Sequence, residues 1–165
     1  MTEENRIKAQ NMFAIAESYK RSALLLPTFN DIIKNAAQHQ QVKMPNGDIV
    51  NFDSVHITCV VLYGLVVEIF LKALIVTEDA DFGRLHNHEE LFNALPTSLQ
   101  SEIINSMPTN FQPDFQQLLE ANKKTFIDWR YCYEKEALTC DVTFLKELSN
   151  VLSFKLQKLT VAENN

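Results

Sequence analysis

At 165 residues with a formal net charge of −6, the chain can bury one real core and is too acidic to grip duplex DNA over a broad surface, which needs clustered Lys and Arg. Only three Gly and five Pro interrupt it, and β-branched runs are confined to one central stretch, which favours helix over sheet. The cysteines Cys59, Cys132 and Cys140 are odd in number and form no CxxC, so they read as reduced core thiols of a cytoplasmic protein.

The opening residues Met1–Arg6 are polar and acidic with no leader-like apolar run, in keeping with that cytoplasmic expectation. From Glu3 to Leu26 a helical period runs through Ile7, Met12, Phe13, Ile15, Ala16, Tyr19, Ala23 and Leu24, which are expected to form the apolar side. Pro27 is expected to end this helix or begin the next, a second helix capped by Thr28 and running to about Gln40. Between Val42 and Val50 a Pro45-Asn46-Gly47 turn separates apolar residues, which predicts a small β-hairpin or an ordered loop.

The stretch from Phe52 to Thr77 is the centre of the chain. Val60–Val67 is apolar all round except for Tyr63 and Gly64, and a helix apolar on every side is buried on every side. Asp53 or Ser54 caps it. Its length would suit a membrane span, but Glu68 and Lys72 near the middle and His56 near the start would be costly in lipid, so no membrane is expected. Glu78–Gly83 is a loop in which Gly83 suits positive φ. Asn87 caps a short helix from His88 to Leu95, Pro96 breaks it, and another short helix runs from Thr97 to Met107. Pro113 at a first helical position starts a long helix to about Glu136, with Phe115, Leu118, Leu119, Asn122, Phe126, Trp129 and Cys132 in step. Asp141 caps the last helix, whose stripe is Phe144, Leu145, Leu148, Val151, Leu152, Leu156 and Leu159. The sum is an all-α fold: one domain over 1–165, an antiparallel bundle of about five main helices plus short ones, with room for a small hairpin near 42–50.

Three groups of residues could carry chemistry. Glu68 and Lys72 are four apart and share a helix face, and charges on so apolar a helix need partners. His86 and His88 lack a Cys or carboxylate at ligand spacing, so no metal and no cofactor are expected, and a helix-start histidine that packs and hydrogen-bonds is the plainer reading. Arg130 lies among Phe126, Trp129, Tyr131 and Tyr133, four residues before Glu134. An arginine can stack on rings and hold a carboxylate or a phosphate with two parallel hydrogen bonds. The plain alternative is a structural bridge, Glu68 to Arg130 and Lys72 to Glu134 across two packed helices, and the sequence favours it over a phosphate or nucleotide contact at the same place.

Three pieces occur in order with helices between them: Glu68-x-x-x-Lys72-Ala73-Leu74, Gly83-x-x-His86 followed by Leu91-Phe92, and Trp129-Arg130-Tyr131-x-Tyr133-Glu134. Together, over about Phe52 to Leu159, they resemble the HEPN superfamily (higher eukaryote and prokaryote nucleotide-binding domains). The resemblance implies an all-helical bundle, usually a homodimer. Such proteins are either metal-independent endoribonucleases of toxin–antitoxin, antiphage and RNA-processing systems, or inactive modules that bind nucleotide or RNA or help proteins dimerise. In the active members an Arg that holds phosphate is followed by a polar residue and, a few residues on, by a His that acts as general acid or base.

Arg130 stands at the Arg of that pattern. Tyr131 replaces the polar residue, Lys135, Glu136 and Ala137 stand where the His would be, and no His follows His88. The resemblance therefore implies a non-catalytic, dimeric module for nucleotide, RNA or regulatory binding. Its polar centre would be Glu68, Lys72, His86, Arg130, Tyr131, Tyr133 and Glu134. The alternative is a divergent ribonuclease in which His86 or Tyr133 replaces the missing base, and a purely structural partner protein is the third reading. His88 stands where an apolar residue is commoner and is expected to face solvent. The packing and the resemblance stand together: Arg130 in open solvent, far from Glu68 and Lys72, would take both the family assignment and the proposed site with it.

Overall fold

A computed structural model describes residues 1–33, 40–43, 49–52, 54–131 and 138–161. Among them, seven helices and one antiparallel hairpin follow in order: α1 (Glu3–Ile33), β1 (Gln40–Lys43), β2 (Ile49–Phe52), α2 (Ser54–Thr77), α3 (His88–Asn93), α4 (Thr97–Ser106), α5 (Phe115–Ala121), α6 (Thr125–Arg130) and α7 (Val142–Val161). The all-α bundle expected from the sequence is the fold. The hairpin pairs Val42 with Val50 and Lys43 with Ile49, and the Pro45-Asn46-Gly47 turn lies outside the described residues.

The bundle is built round α2. Val60, Val66, Val67, Phe70, Leu71, Ala73 and Leu74 are all wholly buried, and α1, α3, α6 and α7 pack against this one helix. Each large apolar side chain so enclosed stabilises by about 2 kcal/mol. The segment Ile57–Thr77 is long and apolar enough to cross a membrane, and 72% of its most apolar window is buried inside the protein, as in a core helix.

Helix α1 runs antiparallel to α2. At one end Asp79 Oδ1 accepts from the Thr2 N–H at 2.8 Å and from Asn5 Nδ2 at 2.9 Å, and at the other Cys59 Sγ lies 3.6 Å from the Ala23 carbonyl. This helix corrects the sequence reading twice. It does not stop at Pro27 but continues to Ile33. A proline inside a helix leaves the carbonyl four residues back without its usual donor, here Ala23, and the Cys59 thiol faces that carbonyl. The buried face is also narrower than expected: Met12, Phe13, Ala16 and Ala23 face the core as expected, joined by Ala9, while Ile7, Ile15, Tyr19 and Leu24 are exposed. Alanines seven apart let α1 lie close along α2, and that spacing turns the larger residues outward.

Among the described residues, the long helix expected from Pro113 to Glu136 is two short ones, and its expected last residues, 132–136, lie outside them. Asp114 sits at the N-cap position of α5, outside the helix together with Pro113, and α5 ends at Ala121. The Asn122 side chain breaks the run. Its Nδ2 donates to the Leu118 carbonyl at 2.8 Å and its Oδ1 accepts the Asp141 N–H at 2.9 Å, which ties the turn to the start of α7. The Lys123 carbonyl accepts the His88 N–H at 2.9 Å instead of a helical partner. The expected caps Asn87 and Asp141 are in place: Asn87 Oδ1 accepts from the Glu89 and Glu90 N–H groups, and Asp141 Oδ1 from that of Phe144. Gly83 has the expected positive φ, and Asp79 shares it.

Candidate functional site

Glu68 and Lys72 project from one face of α2, and both are buried. Lys72 Nζ donates to Glu68 Oε1 at 2.7 Å. The loop between α2 and α3 turns at Gly83 and brings His86 onto the same oxygen, with Nδ1 2.8 Å from Glu68 Oε1 and 3.4 Å from Lys72 Nζ. Phe82 closes the group: its ring lies 5.1 Å from Lys72 Nζ and 5.2 Å from Lys8 Nζ. The second carboxylate oxygen, Glu68 Oε2, is buried and has no hydrogen-bond partner among the described residues.

His88 is the helix-start histidine that packs and hydrogen-bonds, and it corrects the expectation that it faces solvent: it is wholly buried, and bonds the Gly64 carbonyl through Nε2 at 3.0 Å while its backbone N–H goes to Lys123. Burial pushes its imidazole down to about 4, against the opposing pull of the Glu68 charge and of backbone carbonyls. It is therefore neutral at pH 7, and links α2, α3 and the α5–α6 turn. Gly64 is needed at this junction, because a Cβ there would lie 2.8 Å from the Phe126 nitrogen and 3.1 Å from its Cα.

The structure divides the residues that the sequence grouped together. Glu68, Lys72 and His86 come together. Arg130 does not join them: it is exposed at the end of α6, and its guanidinium carbon lies 4.9 Å from the Phe126 ring centre and 4.7 Å from that of Tyr131, itself exposed. The ion-pair partners of Glu68 among the described residues are Lys72 and His86, so the expected Glu68–Arg130 bridge is not formed. The physical reason is reach within the fold. The α2–α3 loop lays His86 over Glu68, whereas α6 touches α2 at Gly64, one turn earlier, and ends on the surface. This counts against the composite site and against the part of the HEPN resemblance that rested on it. Tyr133 and Glu134 lie outside the described residues.

Of the two groups, the one on α2 is internally paired: the buried Glu68 carboxylate faces the Lys72 ammonium and, on its outer side, the half-exposed His86 ring. The one on α6 is open. Arg130 pairs with no carboxylate among the described residues, and rings hold its side chain in place. Lys124, also exposed, stands six residues before it at the N-cap position of α6, on the rim of a cavity of about 150 Å³ whose other walls include Thr125, Asp128 and Trp129. No group of three or more His, Cys, Asp or Glu side chains able to hold a metal ion occurs among the described residues. Cys59 and Cys140 form no disulfide among the described residues, and burial together with the Asp141 charge pushes Cys140 up to about 11, so it is no thiolate nucleophile at neutral pH. The role of Phe82 was not legible in the sequence, and only its place in the loop beside Gly83 could have drawn attention to it. Comparison of the chain with family models, with curated proteins and with solved structures finds no match.

Proposed function

We propose that this chain is a non-catalytic helical module that holds the phosphate of a nucleotide or of an RNA strand on α6, with Arg130 as the contact. One observation carries the proposal: the Arg130 guanidinium is exposed, is braced by the rings of Phe126 and Tyr131, and is not neutralised by any carboxylate among the described residues. The plainer reading of Arg130 was a structural bridge to Glu68, and His86 occupies that place. A weakly hydrated planar cation set against rings suits a phosphate oxygen pair, and an exposed Tyr131 beside it suits a base to stack on.

The proposal is of binding and not of cleavage, because neither described histidine side chain is available as a base beside Arg130. His86 sits with Glu68 and Lys72 on α2 and not beside Arg130, and His88 is buried and neutral. The proposal rests on the helical build and on the setting of Arg130, and takes no support from the resemblance, whose packing condition is not met. Incubation of pure protein with labelled single-stranded RNA and with a nucleoside triphosphate tests it. Bound and intact ligand, lost on Arg130→Ala, is the expected result. Cleavage lost on the same substitution would move the assignment to a divergent ribonuclease, and absence of any binding would leave a structural partner protein.

A further inference from the structure

His86 is held in place from both sides along the chain. Upstream, Gly83 turns the loop at positive φ, and the Leu85 N–H closes onto the Phe82 carbonyl at 3.1 Å. Downstream, Asn87 caps α3, which the His88 backbone and side chain tie to Lys123 and Gly64. Beneath the ring, Glu68 Oε1 accepts from Lys72 Nζ at 2.7 Å. An oxygen that takes a hydrogen bond from an ammonium is an acceptor, so the hydrogen between it and His86 Nδ1, at 2.8 Å, belongs to the nitrogen. In the neutral ring this leaves the lone pair on Nε2, at the edge turned away from Glu68, on a side chain 53% exposed. Nε2 has no partner among the described residues. A buried carboxylate that fixes the tautomer and direction of an imidazole is how a histidine is aimed at a reaction partner.

The surroundings select what Nε2 can attack. The loop 78–87 carries no Ser, Thr, Tyr or Cys, so the ring has no hydroxyl or thiol of its own segment to activate, and the nitrogen itself is the nucleophile. The uncommitted charges nearby are positive. Lys8, exposed, has its Nζ 5.2 Å from the Phe82 ring, and Arg84, exposed in the same loop, forms no ion pair among the described residues. The acids of the loop are partly spent: Asp81 accepts the Gly83 N–H at 3.0 Å, and Asp79 accepts from Thr2 and Asn5. Such a setting favours an anionic electrophile over a neutral ester, and a phosphoryl group is the anionic electrophile that an imidazole takes up. We infer that His86 is a phosphoacceptor, whose Nε2 takes the phosphoryl group of an acyl phosphate. In that step the Nε2 lone pair forms the N–P bond as the bond from phosphorus to the acyl oxygen breaks, and the departing carboxylate keeps that electron pair. Nδ1 keeps its proton, the positive charge left on the ring is answered by Glu68, and nothing is oxidised or reduced. This inference does not rest on the Arg130 reading, and its readout is a covalent bond and not RNA binding.

The test is incubation of the full chain at neutral pH with acetyl phosphate and, separately, with potassium phosphoramidate, from which ammonia departs instead of a carboxylate. Intact mass should show a single phosphoryl group, placed by fragmentation on His86 and on none of the other three histidines. Phosphorus magnetic resonance should identify the acid-labile Nε2 isomer. His86→Gln, an exposed change that leaves the fold intact by circular dichroism, should abolish it. Glu68 is a positioning residue here, and Glu68→Gln should slow the uptake by about tenfold or more. Nitrogen magnetic resonance of the neutral imidazole should show the proton on Nδ1 in the wild type and a shift toward the other tautomer in Glu68→Gln, which a packing role alone does not produce. Uptake no faster than that of N-acetylhistidine, phosphoryl groups spread over the other histidines, or an Nδ1 product overturns the proposal. So does a neutral wild-type His86 ring that carries its proton on Nε2, a reading that needs no variant to fold.

Discussion

His86 Nδ1 lies 2.8 Å from Glu68 Oε1, and it fills the place on that carboxylate for which Arg130 was the sequence's candidate. The carboxylate and Lys72 are buried, while His86 is more than half exposed. The strength of the group therefore resides in the Glu68–Lys72 pair, with the histidine as its outer cover. Removing one member of a buried pair leaves the other charge without an answer, which costs about 3–5 kcal/mol, whereas replacing both with apolar residues of similar volume is often neutral. Glu68→Ala or Lys72→Ala should each lower unfolding stability by about 3 kcal/mol or more. Glu68→Leu combined with Lys72→Met should cost far less than the sum. Urea unfolding of the four proteins reads this coupling directly, and simple additivity would refute it.

His88 gives stability a pH dependence. Its imidazole is held at about 4 in the folded protein against 6.5 when free, so the unfolded chain binds the proton first and stability rises with pH. The contribution is complete above about pH 6.5, falls as the pH drops through the interval to about 4, and is gone below it. A difference of that size corresponds to roughly 3 kcal/mol at about 1.4 kcal/mol per pH unit. Unfolding curves at several pH values between 7 and 4 should show this loss in the wild type. His88→Gln, less stable at pH 7, should have a flatter profile. Asp79 is separable because its carboxyl is held down at about 2, chiefly by the Thr2 N–H and then by Asn5, so its contribution is lost only as the pH falls below about 3.8.

Gly64→Ala tests how closely α6 approaches α2. Alanine is the better helix former by about 1 kcal/mol, yet its Cβ would meet the Phe126 backbone at 2.8 Å, where no flexible side chain can yield. Overpacking of this kind costs about 1–3 kcal/mol. The net result should be a protein destabilised by about 1 kcal/mol or more despite its better propensity, measured by chemical unfolding. A stabilised Gly64→Ala protein would mean that α6 does not press on α2 as described.

Much of the fold was legible because its signals are local. A run with no polar face identified α2 as the enclosed helix, and Asn87 and Asp141 cap helices because short polar side chains can reach the N–H groups just ahead of them. What was not legible depends on tertiary choice. The period in α1 fits either face until something packs on it, and three alanines won because they allow the closer approach, leaving Ile7, Ile15, Tyr19 and Leu24 outside. Asn122 reads as an ordinary helical position unless Asp141 is known to be near its side chain. Glu68 advertised its need for a cation but not which one, since Arg130 and His86 are distant in sequence and only the loop at Gly83 decides between them. The packed, hydrogen-bonded role of His88 was legible at the helix start, but its full burial was not, because Asn87, Glu89 and Glu90 beside it read as surface and its partner is the carbonyl of a glycine 24 residues earlier.

The proposal for α6 makes its own demand on Arg130. Titration of a fluorescent single-stranded RNA, followed by anisotropy at low and moderate salt, measures it most directly with the wild type, Arg130→Ala and Arg130→Lys side by side. The expected outcome is saturable, salt-sensitive binding of intact RNA by the wild type, weakened about tenfold or more in Arg130→Ala and partly retained in Arg130→Lys. Binding that is absent at low salt, or equally strong in Arg130→Ala, would contradict it.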